Sequence, residues 1–228
     1  MKKLLLFGAA LFAAFTVNAE VFDFATLEIA EGDLSVTNGT ATYNADKAYY
    51  EVKNVAGETV ELRIAQIPNV LFSYKNSAEK TAFKLTPGKY IQMDGDQRDL
   101  TLSNVKIGSD IKLSVASKGT TANSFEDSDK KGTGLTGCVW KSGNKTQPAK
   151  GEALVFEEVV VTATASTVII RTTAGGYCLD KLEFTAEGSG LFNVEGDGVK
   201  ATKVIENGQL YIIRNGVKYN ALGAVVAE

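Results

Sequence analysis

Histidine is absent from the 228-residue chain. That absence removes Ser-His-Asp and Cys-His catalysis, and with them zinc and iron sites built on imidazole. What survives is chemistry on carboxylates, Lys, Tyr or metal-bound oxygen. Proline is scarce at 3 residues, tryptophan occurs once, and cysteine occurs twice, as Cys138 and Cys178. A basic excess is missing too: 24 Lys and Arg face 27 Asp and Glu, with both signs interspersed. Nucleic acid requires a concentrated basic face, so that partner is excluded.

Long apolar runs are missing everywhere except at the start. "MKKLLLFGAALFAAFTVNA" (Met1–Ala19) sets two lysines before an apolar run and ends on the small-residue pattern Val17-Asn18-Ala19. This is the pattern of a secretory signal peptide cleaved before Glu20. The run of about a dozen residues falls short of the roughly 20 that a membrane span needs. The expectation is a secreted or surface protein with no transmembrane segment. In an oxidising compartment, Cys138 and Cys178 are allowed one disulfide, closing a loop of about 40 residues and worth about 4 kcal/mol. The alternative is two separately buried thiols.

What is present from Val21 to Thr185 is a succession of short β-type runs. In "DIKLSVAS", Ile111, Leu113 and Val115 share one face while Lys112 and Ser114 share the other. That period of two is the signature of a half-buried strand. Turn pairs such as Asn38-Gly39, Pro87-Gly88, Asp94-Gly95 and Ile107-Gly108 separate the runs. So many antiparallel strands bury their faces only as two packed sheets or a closed barrel, and an antiparallel β-sandwich is expected. Ser117–Gly137, rich in Gly, Ser, Thr, Asp and Lys, reads as a long surface loop, either a binding element or disordered.

Four residues carry the candidate binding chemistry. Trp140 lies at the end of that loop, where an exposed indole would stack on a sugar ring; its alternative role is to cap the core. Tyr177 is a second aromatic candidate, and Asn123 and Asn144 are loop side chains suited to hydrogen-bond sugar hydroxyls. Asp94, Asp96 and Asp99, and Glu126, Asp127 and Asp129, are oxygen-rich clusters, but neither has the spacing of an EF-hand, and turn aspartates are the commoner explanation. No acid stands on an apolar strand end in a way that marks a catalytic carboxylate, so the chain is expected not to be an enzyme.

"GGYCLDKLEF" (Gly175–Phe184) resembles the last strand of jelly-roll carbohydrate-binding modules. "LTLSNVKIGSDIKLSVASKG" is similar to the mid-domain strand pair of secreted sandwich domains that accompany polysaccharide-degrading enzymes. The resemblance implies a jelly-roll-like sandwich, a glycan partner, and a structural calcium held at the Asp that matches Asp180. Cys178 stands where those modules usually carry Asn. "KVIENGQLYIIRNGVKYNALGAVV" resembles the C-terminal sorting domain of type IX secretion cargo, which implies a Gram-negative cell surface and the secretion machinery as partner. It departs from that pattern in its shortness and in lacking Lys or Arg after Gly223.

Without the resemblance, Asn215-Gly216 is the dipeptide best suited to a type I′ turn, which would set Ile212 opposite Tyr219. The expected organisation is a signal peptide over 1–19, a β-sandwich over 20–186, a linker over 187–203 and a C-terminal β-hairpin over 204–228. Function is expected to be non-catalytic binding, glycan first. A structural or adhesive surface protein and a small polysaccharide-active enzyme are the alternatives.

Overall fold

The computed structural model describes residues 19–95, 97–120, 122–127, 132–187, 201–206, 209–214, 217–220 and 226. The expected signal segment up to Asn18 lies outside them. The chain runs through β1 (Ala19–Asp23), a 3-10 turn (Glu31–Asp33), β2 (Leu34–Thr37), β3 (Gly39–Asn44), β4 (Tyr49–Asn54) and β5 (Thr59–Ile64). There follow β6 (Val70–Lys75), β7 (Thr81–Thr86), β8 (Tyr90–Met93), β9 (Asp99–Leu102) and β10 (Asp110–Ser117). Four short strands come next: β11 (Asn123–Ser124), β12 (Glu126–Asp127), β13 (Gly132–Thr133) and β14 (Leu135–Thr136). β15 (Cys138–Ser142), β16 (Thr146–Gln147), β17 (Glu157–Ala163), β18 (Val168–Arg171) and β19 (Tyr177–Thr185) complete the body.

These strands form an antiparallel β-sandwich. A nine-stranded sheet is ordered β15-β17-β10-β19-β8-β7-β4-β3, with β1 also paired to β19. A six-stranded sheet is ordered β14-β18-β9-β6-β5-β2. Alternation decides which face of each strand goes inside. Val60, Leu62 and Ile64 of β5 meet Ile111, Leu113 and Val115 of β10 in one continuous apolar core. Burying each such aliphatic side chain is worth roughly 1.5–3 kcal/mol.

The chain changes sheets at both sides of the sandwich. Asn38-Gly39 is therefore a corner rather than the hairpin turn its sequence suggests: β2 pairs with β5 in one sheet, and β3 with β4 in the other. Asn38 has φ 54°, and a Cβ at Gly39 would run into the Lys53 carbonyl oxygen and Val60. On the far side, Gly137 (φ 71°) carries the chain from β14 to β15, and a Cβ there would strike the Thr167 carbonyl oxygen. At Gly137 only glycine meets both demands, whereas at the first corner Asn38 takes the positive φ and Gly39 the close approach.

Two further expectations change. Within Ser117–Gly137, Phe125 is buried to 1% exposure and packs its ring 5.4 Å from Tyr177, so this part of the stretch is anchored on the core. One aromatic among polar neighbours was the signal for that anchor. Cys138 and Cys178 are free, buried thiols. They lie on β15 and β19 with β17 and β10 between them. Three strand spacings alone put them at least roughly 14 Å apart, and Cys138 lies level with Ser109 while Cys178 lies opposite Ala116 further along β10, whereas a disulfide needs Cα atoms within about 7 Å. The bridged alternative is corrected to the unbridged one.

Residues Ser189–Glu228 form a separate unit. Its described part is a three-stranded antiparallel sheet of β20 (Ala201–Glu206), β21 (Gln209–Arg214) and β22 (Val217–Asn220). Ile212 lies opposite Tyr219, and β20 adds a strand to the hairpin, taking up residues 201–203 of the expected linker. Asn215-Gly216 lies outside the described residues.

Candidate functional site

Trp140 is half-buried and lies opposite Val161 of β17, a core residue, so its ring turns inward. It sits 5.8 Å from Phe125, and its Nε1 donates to the Gly143 carbonyl at 3.3 Å. The indole closes the β15 end of the core through a chain of rings from Trp140 to Phe125 to Tyr177. Tyr177 is fully buried and its hydroxyl has no hydrogen-bond partner. Burial, with the Asp99 charge adding to it, pushes its pKa well above the ordinary phenol range. A ring with no exposed face cannot stack on a ligand, so Tyr177 is corrected from a binding residue to a core residue.

Asn144 is exposed, and its Nδ2 donates to Glu157 Oε2 at 2.9 Å. Asn123 lies opposite Gln147 in the β11–β16 pair, and its side chain is outside the described residues. The four candidates are thus not gathered into one exposed site.

Asp180 stands at the register shift where β19 passes Ser114 and Val115 of β10. Its Oδ1 is buried without a hydrogen-bond partner. Burial raises its pKa, the Asp23 charge raises it further, and hydrogen bonds with Ser114 and nearby backbone oppose the rise. Calcium takes six to eight oxygens. Among the described residues no group of three or more His, Cys, Asp or Glu side chains is placed to hold a metal. The donors around Asp180 do not fit a calcium site, and the implied ion enters no step here. Of the sequence clusters, Asp99 is held by Arg171 across the β9–β18 pair and Asp94 by two lysines, while Asp96, Asp129 and the side chains of Glu126 and Asp127 lie outside the described residues.

What the fold does gather is on the outer face of the nine-stranded sheet. One cross-strand row runs Glu51–Lys84–Gln92–Cys178–Ala116 from β4 to β10. Beside it stand Tyr49, Thr86 and Tyr90, all half-buried, with Thr86 opposite Tyr90. Their chain neighbours Tyr50, Leu85 and Ile91 are in the core, so alternation puts Tyr49, Thr86 and Tyr90 on the outside. Tyr49 and Tyr90 are separated by β7, two strand spacings or roughly 10 Å. Lys84 Nζ lies 5.8 Å from the Tyr49 ring centroid and 3.4 Å from Asp94 Oδ2. Lys118 pairs with the other oxygen of Asp94, which also accepts from Gln92 Nε2 at 3.2 Å. Burial works against ionising Asp94, but Lys118, Lys84 and Gln92 outweigh it and hold the carboxyl below its usual range. The face therefore offers two phenol rings with anchored donors and acceptors between them.

Compared with known proteins, the chain matches no family model and no curated protein. Sequence reasoning missed this face although the signal was present. In "AYYEV", "TAFKLT" and "KYIQM", every second residue that the core does not take is aromatic or a hydrogen-bonding side chain. Which runs become neighbours is a matter of topology, and without it those residues are scattered.

Proposed function

We propose that the sandwich is a non-catalytic glycan-binding module, and that its ligand lies across the outer face of the nine-stranded sheet. The observation that carries this reading is the placement of Tyr49 and Tyr90 on one outward face with Lys84, Thr86, Gln92 and Asp94 between and beside them. Sugars present apolar ring faces with hydroxyls around them, which suits stacking on aromatics combined with fixed polar partners. The spacing of the two tyrosines is comparable to a disaccharide. The inward-turned Trp140 becomes a stability residue in this reading. The experiment is a glycan array with the full chain, then titration of any hit against Tyr49→Ala, Tyr90→Ala and Trp140→Phe. Loss on the tyrosine variants with binding kept in Trp140→Phe supports the sheet face. Loss on Trp140→Phe alone returns the site to the β15 end, and silence across the array leaves the adhesive-scaffold reading.

We also propose that the C-terminal unit is an export tag of the type IX sorting kind, following a signal peptide removed before Glu20, in a Gram-negative surface protein. Support comes from the separateness of the unit and from the register of Ile212 on Tyr219 within its own small sheet. Fusing residues 189–228 to a periplasmic reporter in a host with that secretion system tests it. Retention of the reporter inside the cell would sink the idea.

A further inference from the structure

The outer face is not open along its whole length. Cys178 projects to that face, opposite Gln92 on one side and Ala116 on the other. Yet Cys178 and Ala116 are each only 1% exposed. Pro148–Phe156, the stretch between β16 and β17, has no strand pairing of its own. Because β17 sets Glu157 opposite Val115, Phe156 arrives next to Ala116. The Phe156 ring sits 6.2 Å from Tyr90, and Lys150 N donates to the Gly119 carbonyl at 2.7 Å. The charge of Lys150 also reaches the Cys178 thiol, together with those of Lys118, Asp94 and Asp180. This stretch lies against Tyr90 and Gly119 on the Cys178 side of that face.

Its own attachment is slight. Pro148 through Ala153 are exposed, Val155 is 68% exposed, and Leu154 and Phe156 are half-buried. Segments with few buried apolar contacts open far more readily than the strands beneath them.

We propose that Pro148–Phe156 is a hinged cover over the Cys178 end of the ligand face, latched by Phe156 on Tyr90 and by the Lys150–Gly119 backbone bond. Closed, it lays Phe156 against the ring that a sugar would use. Opened, it lengthens the track from Tyr90 toward Asp180 and Ser114. The use of the cover rests on the glycan reading; its opening does not.

The test labels the full chain with N-ethylmaleimide under native conditions, in a Cys138→Ala background so that one thiol reports. Cys178 should label slowly in this parent and about tenfold faster in Phe156→Ala, with an unchanged melting temperature. Lys150→Pro removes the latch N–H without touching the core and should also accelerate labelling. Rates within twofold of the parent in both variants overturn the cover, as does acceleration that merely follows a fall in melting temperature. Both variants should bind any array hit more tightly than the parent. Faster labelling with no glycan bound by any variant upholds the cover and removes the sugar reading. Glycan binding that needs Tyr90 without any labelling response removes the cover and keeps the sugar reading.

Discussion

The Arg98 guanidinium carbon lies 3.7 Å from the centroid of the Tyr74 ring. Tyr74 belongs to β6 of the six-stranded sheet, whereas Arg98 Nε and Nη2 donate to the carbonyls of Ala82 and Thr81 of β7, at 3.3 and 3.0 Å, in the nine-stranded one. A single buried cation thus ties the two sheets together at one end of the sandwich. A planar fork that stacks and donates at once is a property of arginine and not of lysine.

Arg98→Ala is therefore expected to destabilise the body by about 2–4 kcal/mol, through the lost stacking and the lost hydrogen bonds to the Thr81 and Ala82 carbonyls. Arg98→Lys should recover less than half of that. Urea unfolding followed by far-UV circular dichroism measures both, and equal stability of Arg98→Lys and wild type would refute the argument.

Asp180 carries the opposite lesson. Its folded-state pKa is raised, mainly by burial, so its stabilising contribution is complete below the unfolded value near 3.8 and is lost as pH rises through the folded value. Asp180→Asn should then melt higher than wild type at pH 7, with the advantage gone at about pH 3.5. Thermal melts at the two pH values decide it.

Asp94 behaves in reverse. Lys118 and Lys84 lower its pKa against the effect of burial, so its contribution is present above the unfolded value and fades as acid protonates it. Asp94→Asn should melt lower than wild type at pH 7 and converge with it below about pH 3. The same variant should weaken any glycan bound at the outer face, because it releases both lysines.

Neither cysteine is bridged. Burial pushes Cys138 up to about 11 and Cys178 up to about 12. A thiol reagent should accordingly find 2 free thiols in denaturant and react slowly with the native chain. Reductant should leave the melting temperature unchanged. A mass 2 Da below the reduced chain would contradict the separation of β15 and β19.

A chain ending at Gly188 should fold with the same melting transition as the body of the full protein, since the division into units falls there. A broadened or lowered transition would show that the C-terminal unit supports the sandwich.

The sequence by itself determined the all-β class and which face of each strand turns inward. Alternation is a local property: Ile111, Leu113 and Val115 point one way in any sheet that contains them. It determined the Ile212–Tyr219 register for the same reason, because a two-residue connection leaves the strands little choice. Tertiary structure alone decided what the outward residues amount to. Tyr49 and Tyr90 are 41 positions apart in the chain yet two strands apart in space. It also decided that Asn38-Gly39 turns a corner, that Phe125 leaves a polar stretch for the core, and that Trp140 faces inward. Each depends on which strands become neighbours, and long-range pairing is set by burying the whole apolar surface at once rather than by any short run of residues.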